Sequence, residues 1–293
     1  MKKFLVTVIF TLFLCTIISP LICSQNLEKL NFNGSMRIDF FEEFPSEENF
    51  SKAELIKFSS TIYIAASSLG EFFQYKDMLY DINPILEAGY WPILNESYWI
   101  SPFSHTYELE NLLNDLQKNS QNEELKVLLD LELQGKKYIK RNIGSLSFYK
   151  NKQLIKQLFL KADEYNIELY TGEYPSRHIL DEILWNLFGI TYPIQKFPHK
   201  KMIMFYSSGL DCKPHLKNSI ARYLILQHNK YGDSIQAALG CIDVGRSEEG
   251  LLISPGTLDT DLSFMYKNGI RNVTIFRLRG LDSDYINVIE KYI

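Results

Sequence analysis

The sequence predicts a single (β/α)8 barrel, the TIM-type barrel of eight parallel strands and eight helices. Eight short apolar segments recur from Met36 onwards, and each of them closes on a polar or charged residue. A stretch with apolar residues at helical spacing follows every one of these segments. Strands that alternate with helices favour parallel pairing, and residues 25–293 match the length of one such barrel, roughly 250 residues.

The strands are predicted from short apolar runs rich in β-branched and aromatic residues. In chain order these runs are MRIDFFEE, STIYIAASS, YWPILNES, LKVLLDLE, IELYTGE, MIMFYSS, IQAALGCID and VTIFRLR. Active sites of such barrels lie at the carboxyl ends of the strands, so the residues that finish each run are the candidates for function.

The helices are predicted from apolar residues at helical spacing. The segments are 51–58, 74–88, 107–119, 148–165, 176–188, 214–230, 256–268 and 283–292. Pro214 and the pair Ser254-Pro255 are typical helix starts, whereas Gly189 and Gly269 are typical ends.

Residues 1–24 are expected to be a signal peptide or an N-terminal membrane anchor, because Lys2 and Lys3 precede an uncharged apolar run from Phe4 to Ile22. Both alternatives place the barrel outside the cytoplasm, as a secreted or membrane-anchored protein. Without those two lysines the chain holds 29 basic and 35 acidic residues, which argues against a nucleic-acid partner.

Two cysteines remain beyond this leader, Cys212 after strand six and Cys241 within strand seven. They form either one disulfide bond or leave Cys241 as a buried free thiol. Two cysteines do not make a metal site, and the sequence predicts neither a metal nor a cofactor.

The clearest candidate for chemistry is the pair Asp130 and Glu132, which ends strand four after three apolar residues. Side chains two positions apart share a face of a strand, so both carboxylates point into the barrel if Leu129 and Leu131 point outward. Two close carboxylates cannot both ionise freely. Their coupling raises one pKa, which lets a glutamic acid act as a general acid near neutral pH.

This Asp-x-Glu, together with Met204-Phe205-Tyr206 on strand six, resembles the family 18 chitinase-like barrels, and hyaluronidases share the strand-four pair. The resemblance implies that Glu132 protonates the glycosidic oxygen, that Asp130 orients the substrate's acetamido group as an internal nucleophile, and that Tyr206 supports that group. Such substrate-assisted enzymes are exceptions to the two-carboxylate scheme of glycoside hydrolysis.

Other acids at strand ends complete a ring at the predicted mouth. Glu173 after strand five is a further catalytic candidate, opposite Glu42 or Glu43 after strand one. The substrate-binding candidates are Glu43, Glu96, Tyr98, Trp99, Asp243 and Arg277.

Structural roles compete with these functional ones. The aromatic residues at 98 and 99 form either a sugar-stacking platform or a packed loop on the rim. Arg277 is also expected to pair with Glu42 or Glu43, and Arg37 with Asp39, as structural ion pairs.

The sequence therefore predicts a glycosidase that acts on a carbohydrate by carboxylate chemistry. The alternative is a catalytically inactive barrel that binds extracellular glycans or other ligands. Histidine-based chemistry is disfavoured, because all five histidines fall in predicted loops or helices: His105, His178, His199, His215 and His228.

Overall fold

The predicted closed barrel of eight parallel strands is confirmed. The structure is a computed structural model, and it describes residues 34–119, 124–133, 144–176, 179–210, 214–246 and 252–293. The strands are β1 (Arg37–Glu42), β2 (Thr61–Ala66), β3 (Glu87–Pro92), β4 (Leu125–Leu131), β5 (Ile167–Glu173), β6 (Lys200–Phe205), β7 (Ile235–Gly240) and β8 (Asn272–Phe276). Each pairs with its neighbour in sequence, and β8 closes on β1. The predicted leader, Cys212 and His178 lie outside the described residues.

An α-helix follows each strand. The helices are α1 (Glu47–Phe50), α2 (Leu69–Ile82), α3 (Thr106–Lys118), α4 (Leu146–Leu160), α5 (Ile179–Phe188), α6 (Pro214–Tyr231), α7 (Pro255–Lys267) and α8 (Ser283–Ile289). A 3-10 turn, Ser51–Leu55, extends α1. No helix within the described ranges combines the length and the apolar character that crossing a bilayer requires.

Local capping explains where several helices begin and end. The Ser254 hydroxyl accepts a hydrogen bond from the Thr257 backbone at the start of α7, as expected for a Ser-Pro start. Gly189 and Gly269 follow α5 and α7 with positive φ, as predicted for helix ends.

The start of α2 was predicted too late, at residue 74. It begins at Leu69, because the Ser68 hydroxyl accepts from the Glu71 backbone and the Glu71 carboxylate accepts from the Ser67 backbone. The helix accordingly ends earlier than predicted, and β3 begins at Glu87.

Side chains alternate between two apolar layers, as the strand period requires. On β4, Val127, Leu129 and Leu131 face the helices and belong to the large outer core. Leu128 faces the barrel interior, so Asp130 shares its direction. The interior cluster consists of Phe41, Tyr63, Ala65, Trp91, Leu128, Tyr170, Met202, Met204 and Ala238.

A charged layer closes the barrel below this cluster, at the amino ends of the strands. Arg37 pairs with Asp39 at 3.2 Å, which confirms the ion pair expected from the sequence, and with Glu87 at 2.9 Å. Lys126 also pairs with Glu87. Charged residues fill the base of the barrel and apolar residues fill the layer above it. Free space therefore remains at the other end of the barrel, where the strands have their carboxyl ends.

Gly89 in β3 tests how tightly this interior is filled. A Cβ atom there would lie 2.6 Å from the Tyr63 ring, so Gly89→Ala should lower the free energy of unfolding by about 1–3 kcal/mol. Urea denaturation measures the change. The matched control is Gly70→Ala in α2, where nothing lies within 4 Å and the helix should gain up to about 1 kcal/mol. Equal stability of the two variants would contradict the packing described.

Candidate active site

A cavity of about 280 Å³ opens at the carboxyl ends of the strands. Four acids and seven aromatic residues contribute to its wall, and Arg246 is its basic residue among the residues that the structure describes. Aromatic faces beside a few polar groups are typical of ligand sites in barrel mouths. The lining residues are Phe41, Glu43, Trp91, Tyr98, Trp99, Leu128, Asp130, Glu132, Gly172, Tyr174, Met204, Tyr206, Ser208, Ala238, Cys241, Asp243, Val244, Gly245, Arg246 and Phe276.

Asp130 and Glu132 both line this cavity, in the direction that strand alternation predicts. Asp130 is only 7% exposed. Burial raises the pKa of Asp130 well above its ordinary value, and the negative charges of Glu132 and Glu43 raise it further. The nearby Trp91 indole opposes this rise in pKa in part. No cation neutralises this carboxyl group among the described ion pairs.

Glu132 is held from one side by Tyr174, whose hydroxyl donates to Glu132 Oε2 at 2.5 Å. Burial raises the pKa of Glu132 to about 7, the Tyr174 hydrogen bond opposes the rise, and the charge of Glu43 adds to it. A carboxyl group with this pKa is partly protonated at neutral pH, so it can donate a proton. Because Tyr174 occupies Oε2, Oε1 is the oxygen available to carry that proton.

Three buried polar atoms of the cavity wall have no hydrogen-bond partner of good geometry among the described residues. They are the acceptor Asp130 Oδ1, the donor Trp91 Nε1 and the Ser208 hydroxyl. Gly172, the register partner of Asp130 on β5, approaches closely, since a Cβ atom there would lie 3.3 Å from Oδ1. Unpaired buried polar groups are costly, so a ligand that supplies a donor and an acceptor here relieves that cost.

Glu43 organises the rim on the opposite side. It accepts a hydrogen bond from the Tyr98 hydroxyl, and its second oxygen accepts from the Arg246 backbone at 2.9 Å. The Arg246 guanidinium lies 4.3 Å from the centre of the Tyr98 ring. Glu43 thus joins the loop after β3 to the loop after β7.

The loop after β3 is anchored by α3. The Glu108 carboxylate accepts from the Glu96 backbone at 2.8 Å and from the Ser97 hydroxyl at 2.6 Å. Tyr98 has a positive φ of 62° and forms an antiparallel bridge with Leu94. This turn directs Tyr98 and Trp99 to the cavity, where Tyr98 is buried in the rim and Trp99 is partly exposed beside it.

Tyr206 also lines the cavity, beside Phe276 at a ring separation of 6.4 Å. Burial raises the pKa of Tyr206 well above its ordinary value, so its hydroxyl is a neutral donor. Cys241 is a buried free thiol in the same wall, and burial raises its pKa to about 11. A thiol with that pKa is unreactive at neutral pH.

Glu173 does not line the cavity, so it does not stand opposite Glu43 across the mouth as the sequence predicted. Its carboxylate lies on the outer face of β5, 2.8 Å from Lys201 Nζ and 2.5 Å from the Thr191 hydroxyl. Burial alone would raise the pKa of Glu173, but the charges of Lys201 and His199 outweigh it and lower the pKa to about 2. Strand parity explains the placement, since Gly172 is the inward residue at the end of β5.

Arg277 is likewise outside the cavity. Its side chain is fully buried and lies 2.8 Å from Asp243 and 3.7 Å from Glu42, which confirms the structural ion pair rather than a contact with ligand. Asp243 does line the cavity, with one oxygen engaged by Arg277. Glu96 is exposed and away from the cavity, where it pairs with His105 at 3.2 Å.

Several cavity residues were not predicted as site residues from the sequence, among them Trp91, Tyr174, Phe276 and Arg246. Trp91 and Phe276 lie at inward positions of β3 and β8, so the alternation of side chains along a strand could have predicted that both point into the barrel. Tyr174 and Arg246 lie on loops, where no periodic sequence pattern predicts the direction of a side chain. Among the described residues, no group of three potential metal ligands is found.

The fold and this mouth define a (β/α)8 barrel with acids and aromatic rings at its carboxyl end. No protein-family model matches the sequence, and no curated protein matches it either. Solved structures of similar fold include glycoside hydrolases, among them chitinases.

Three solved structures illustrate the range of proteins that share this fold. The spore cortex-lytic enzyme SleL of Bacillus cereus is 8% identical, with a TM-score of 0.55 over 89% of this chain and 75% of its own. A chitinase from Chromobacterium violaceum is 9% identical, with a TM-score of 0.52 over 88% and 98%. A D-allulose 3-epimerase from a Methylomonas species is 12% identical, with a TM-score of 0.53 over 90% and 100%. Likeness at these identities shows a shared fold.

The outer placement of Glu173 predicts a structural phenotype. Glu173→Gln leaves the buried Lys201 ammonium without its carboxylate, which should cost about 3–5 kcal/mol of stability and lower the melting temperature. Because the folded-state pKa of Glu173 is depressed, its contribution is present above the unfolded pKa and is lost as the pH falls towards about 2.

Thermal melts between about pH 2 and pH 8, a range that includes the titration of unfolded carboxylates near pH 4, measure this contribution. Glu96→Gln is the matched control, since its acid is exposed on the rim and should melt like the native chain. A Glu173→Gln variant of native stability would contradict the buried pairing.

Proposed function

We propose that this protein hydrolyses glycosidic bonds, with Glu132 as the proton donor. The observation that carries the proposal is the inward pair Asp130 and Glu132, in which burial and the charge of Glu43 raise the pKa of Glu132 to about 7. Protonation of a leaving-group oxygen requires an acid inside a cleft whose pKa lies near neutral pH.

The substrate proposed is an N-acylated amino sugar. An acetamido group offers an N–H donor and a carbonyl acceptor, which complement Asp130 Oδ1 and Trp91 Nε1, two buried atoms without a hydrogen-bond partner of good geometry among the described residues. The resemblance of the strand-four motif to family 18 barrels suggests the same pairing for Asp130. The Tyr206 hydroxyl, which stays neutral, is a further donor for the acetamido oxygen.

The proposed reaction needs no second carboxylate nucleophile. The Glu132 proton passes to the glycosidic oxygen as the bond from that oxygen to the anomeric carbon breaks, and the acetamido oxygen bonds to the anomeric carbon. Water then opens this intermediate and returns a proton to Glu132. This route suits a cavity whose remaining acids are engaged elsewhere, Glu43 by Tyr98 and Asp243 by Arg277.

Aromatic rings supply the apolar part of sugar recognition. Trp99 is partly exposed at the mouth, and Phe41, Trp91 and Phe276 form the wall below it. Sugar rings present C–H faces that pack on such surfaces. A bound sugar also displaces water, and the electrostatic interactions of the acids whose pKa is raised are stronger where water is excluded.

We also propose that the chain acts outside the cytoplasm, with 25–293 as the catalytic domain. The support is the sequence of residues 1–24, whose two lysines and apolar run are typical of export or anchoring. The carbohydrate partner proposed for the cavity agrees with that location.

Replacing the proposed acid separates catalysis from binding. Glu132→Gln keeps the shape but removes the transferable proton, so turnover of chromogenic N-acetylglucosaminides or chitin oligosaccharides should fall by about 10²–10⁴ with little change in KM. Glu96→Gln, outside the cavity, should retain native rates. Calorimetric sugar binding by a native chain without turnover would instead support the alternative, an inactive glycan-binding barrel.

The pH dependence follows from the same group. Because Glu132 must be protonated to act and its pKa is raised to about 7, kcat/KM should fall as the pH rises above about 7. Tyr174→Phe removes the hydrogen bond that holds this pKa down, so the alkaline limb should move to higher pH by about 0.5–1 unit. A limb that moves to lower pH, or not at all, would exclude Glu132 as the group that titrates.

A further inference from the structure

A second surface, on the flank of the barrel, carries an exposed apolar stripe. Four aliphatic side chains of α5 face solvent at helical spacing: Leu180, Ile183, Leu184 and Leu187, with 36%, 58%, 45% and 60% of their surface exposed. The opposite face of α5 packs on the core through Trp185 and Phe188. A helix with apolar residues on both faces normally has a partner on each side.

The two neighbouring helices carry further exposed apolar residues and most of the basic residues of this flank. Exposed Tyr149 and Leu160 lie on α4, and exposed Leu226 lies on α6. Lys152 of α4 donates to the Asn186 and Leu187 carbonyls at the end of α5, which fixes the two helices together. We call the outer faces of α4, α5 and α6 the flank surface.

Charge is strongly segregated on this surface. Helices α4 to α6, with the cap residue Lys161, hold seven Lys and Arg residues and two acids, whereas the rest of the acidic chain holds 24 Lys and Arg residues and 33 acids. Three of the seven pair with acids outside these helices, Lys150 with Glu110, Lys161 with Glu164 and Lys217 with Asp261. The two acids, Asp181 and Glu182, lie in the first turn of α5. Lys156 and Arg222 form no ion pair with an acid among the described residues. The seven basic residues are Lys150, Lys152, Lys156, Lys161, Lys217, Arg222 and Lys230.

We infer that the flank surface docks on an anionic lipid bilayer. Exposed aliphatic side chains that insert into the headgroup boundary, surrounded by lysine and arginine, are the features of a peripheral membrane site. Each basic residue near an anionic surface adds attraction, and the apolar stripe adds burial. The inference concerns a site apart from the cavity and does not depend on the proposed function.

Two other occupants fit this surface less well. A second copy of the chain paired about a two-fold axis would place the same basic residues against each other, which opposes association. Energetically dominant protein contacts favour Trp, Tyr and Arg over Leu, whereas this stripe is almost wholly Leu and Ile.

Docking in this way leaves the cavity accessible. Helices α4 to α6 lie on the side of the barrel, whereas the cavity opens at the carboxyl ends of the strands. A membrane-bound chain therefore keeps its mouth open to a ligand near the lipid surface.

Vesicle sedimentation of the full chain tests the inference. Binding to phosphatidylcholine vesicles should rise when phosphatidylglycerol is included and should fall with added salt. The double variant Ile183→Glu with Leu187→Glu, and separately Lys156→Glu with Arg222→Glu, should each weaken binding to the anionic vesicles by about tenfold or more. Residues 1–33 are common to every variant, so differences among variants report on the flank surface.

Matched controls carry the same substitutions elsewhere on the barrel. Ile85→Glu replaces another exposed aliphatic residue, at 51% exposure, and Lys57→Glu replaces an exposed lysine away from the flank surface. Both should bind vesicles like the native chain, and thermal melts should show all variants folded.

Three results would overturn the inference: no preference for phosphatidylglycerol, native binding by both double variants, or a native dimer that Ile183→Glu converts to monomer. The last result would assign the stripe to self-association.

Discussion

The alternation of side chains across a closed sheet is the constraint on which the rest of the structure depends. Each strand has one face against the helices and one inside the barrel, and a shift by one residue would exchange them. On β4, the fully buried Leu129 and Leu131 hold the register by burial worth about 1.5–3 kcal/mol each. That apolar packing offsets the cost of placing Asp130 and Glu132 in a low-dielectric interior.

The acids near the mouth divide by whether a cation accompanies them. Glu42 and Glu173 face outward and meet Arg277 and Lys201, so their charges are compensated within the helical layer. The inward Asp130 has no such partner, and its pKa rises because the charged form is poorly solvated. Strand parity thus decides which acids are structural and which are poised to exchange protons.

Much of the barrel could be predicted from the sequence, because the apolar runs and the helix signals repeat eight times. The inward direction of Asp130 and Glu132 also followed, since leucine stands on either side of Asp130. Glu173 was misplaced because β5 has apolar residues on both faces, Leu169 and Tyr170, so its pattern does not reveal parity. Residues that reach the cavity from loops depend on a turn geometry that has no period in sequence.

Gly172 influences the orientation of the Asp130 carboxylate. It is the cross-strand neighbour of Asp130, and only a hydrogen atom separates its backbone from that carboxylate. A methyl group at this position would lie 3.3 Å from the Asp130 oxygen, so the carboxylate would have to move by a few tenths of an ångström. The position therefore works as a spacer, through which the orientation of the acid can be tuned while its identity and its strand stay unchanged.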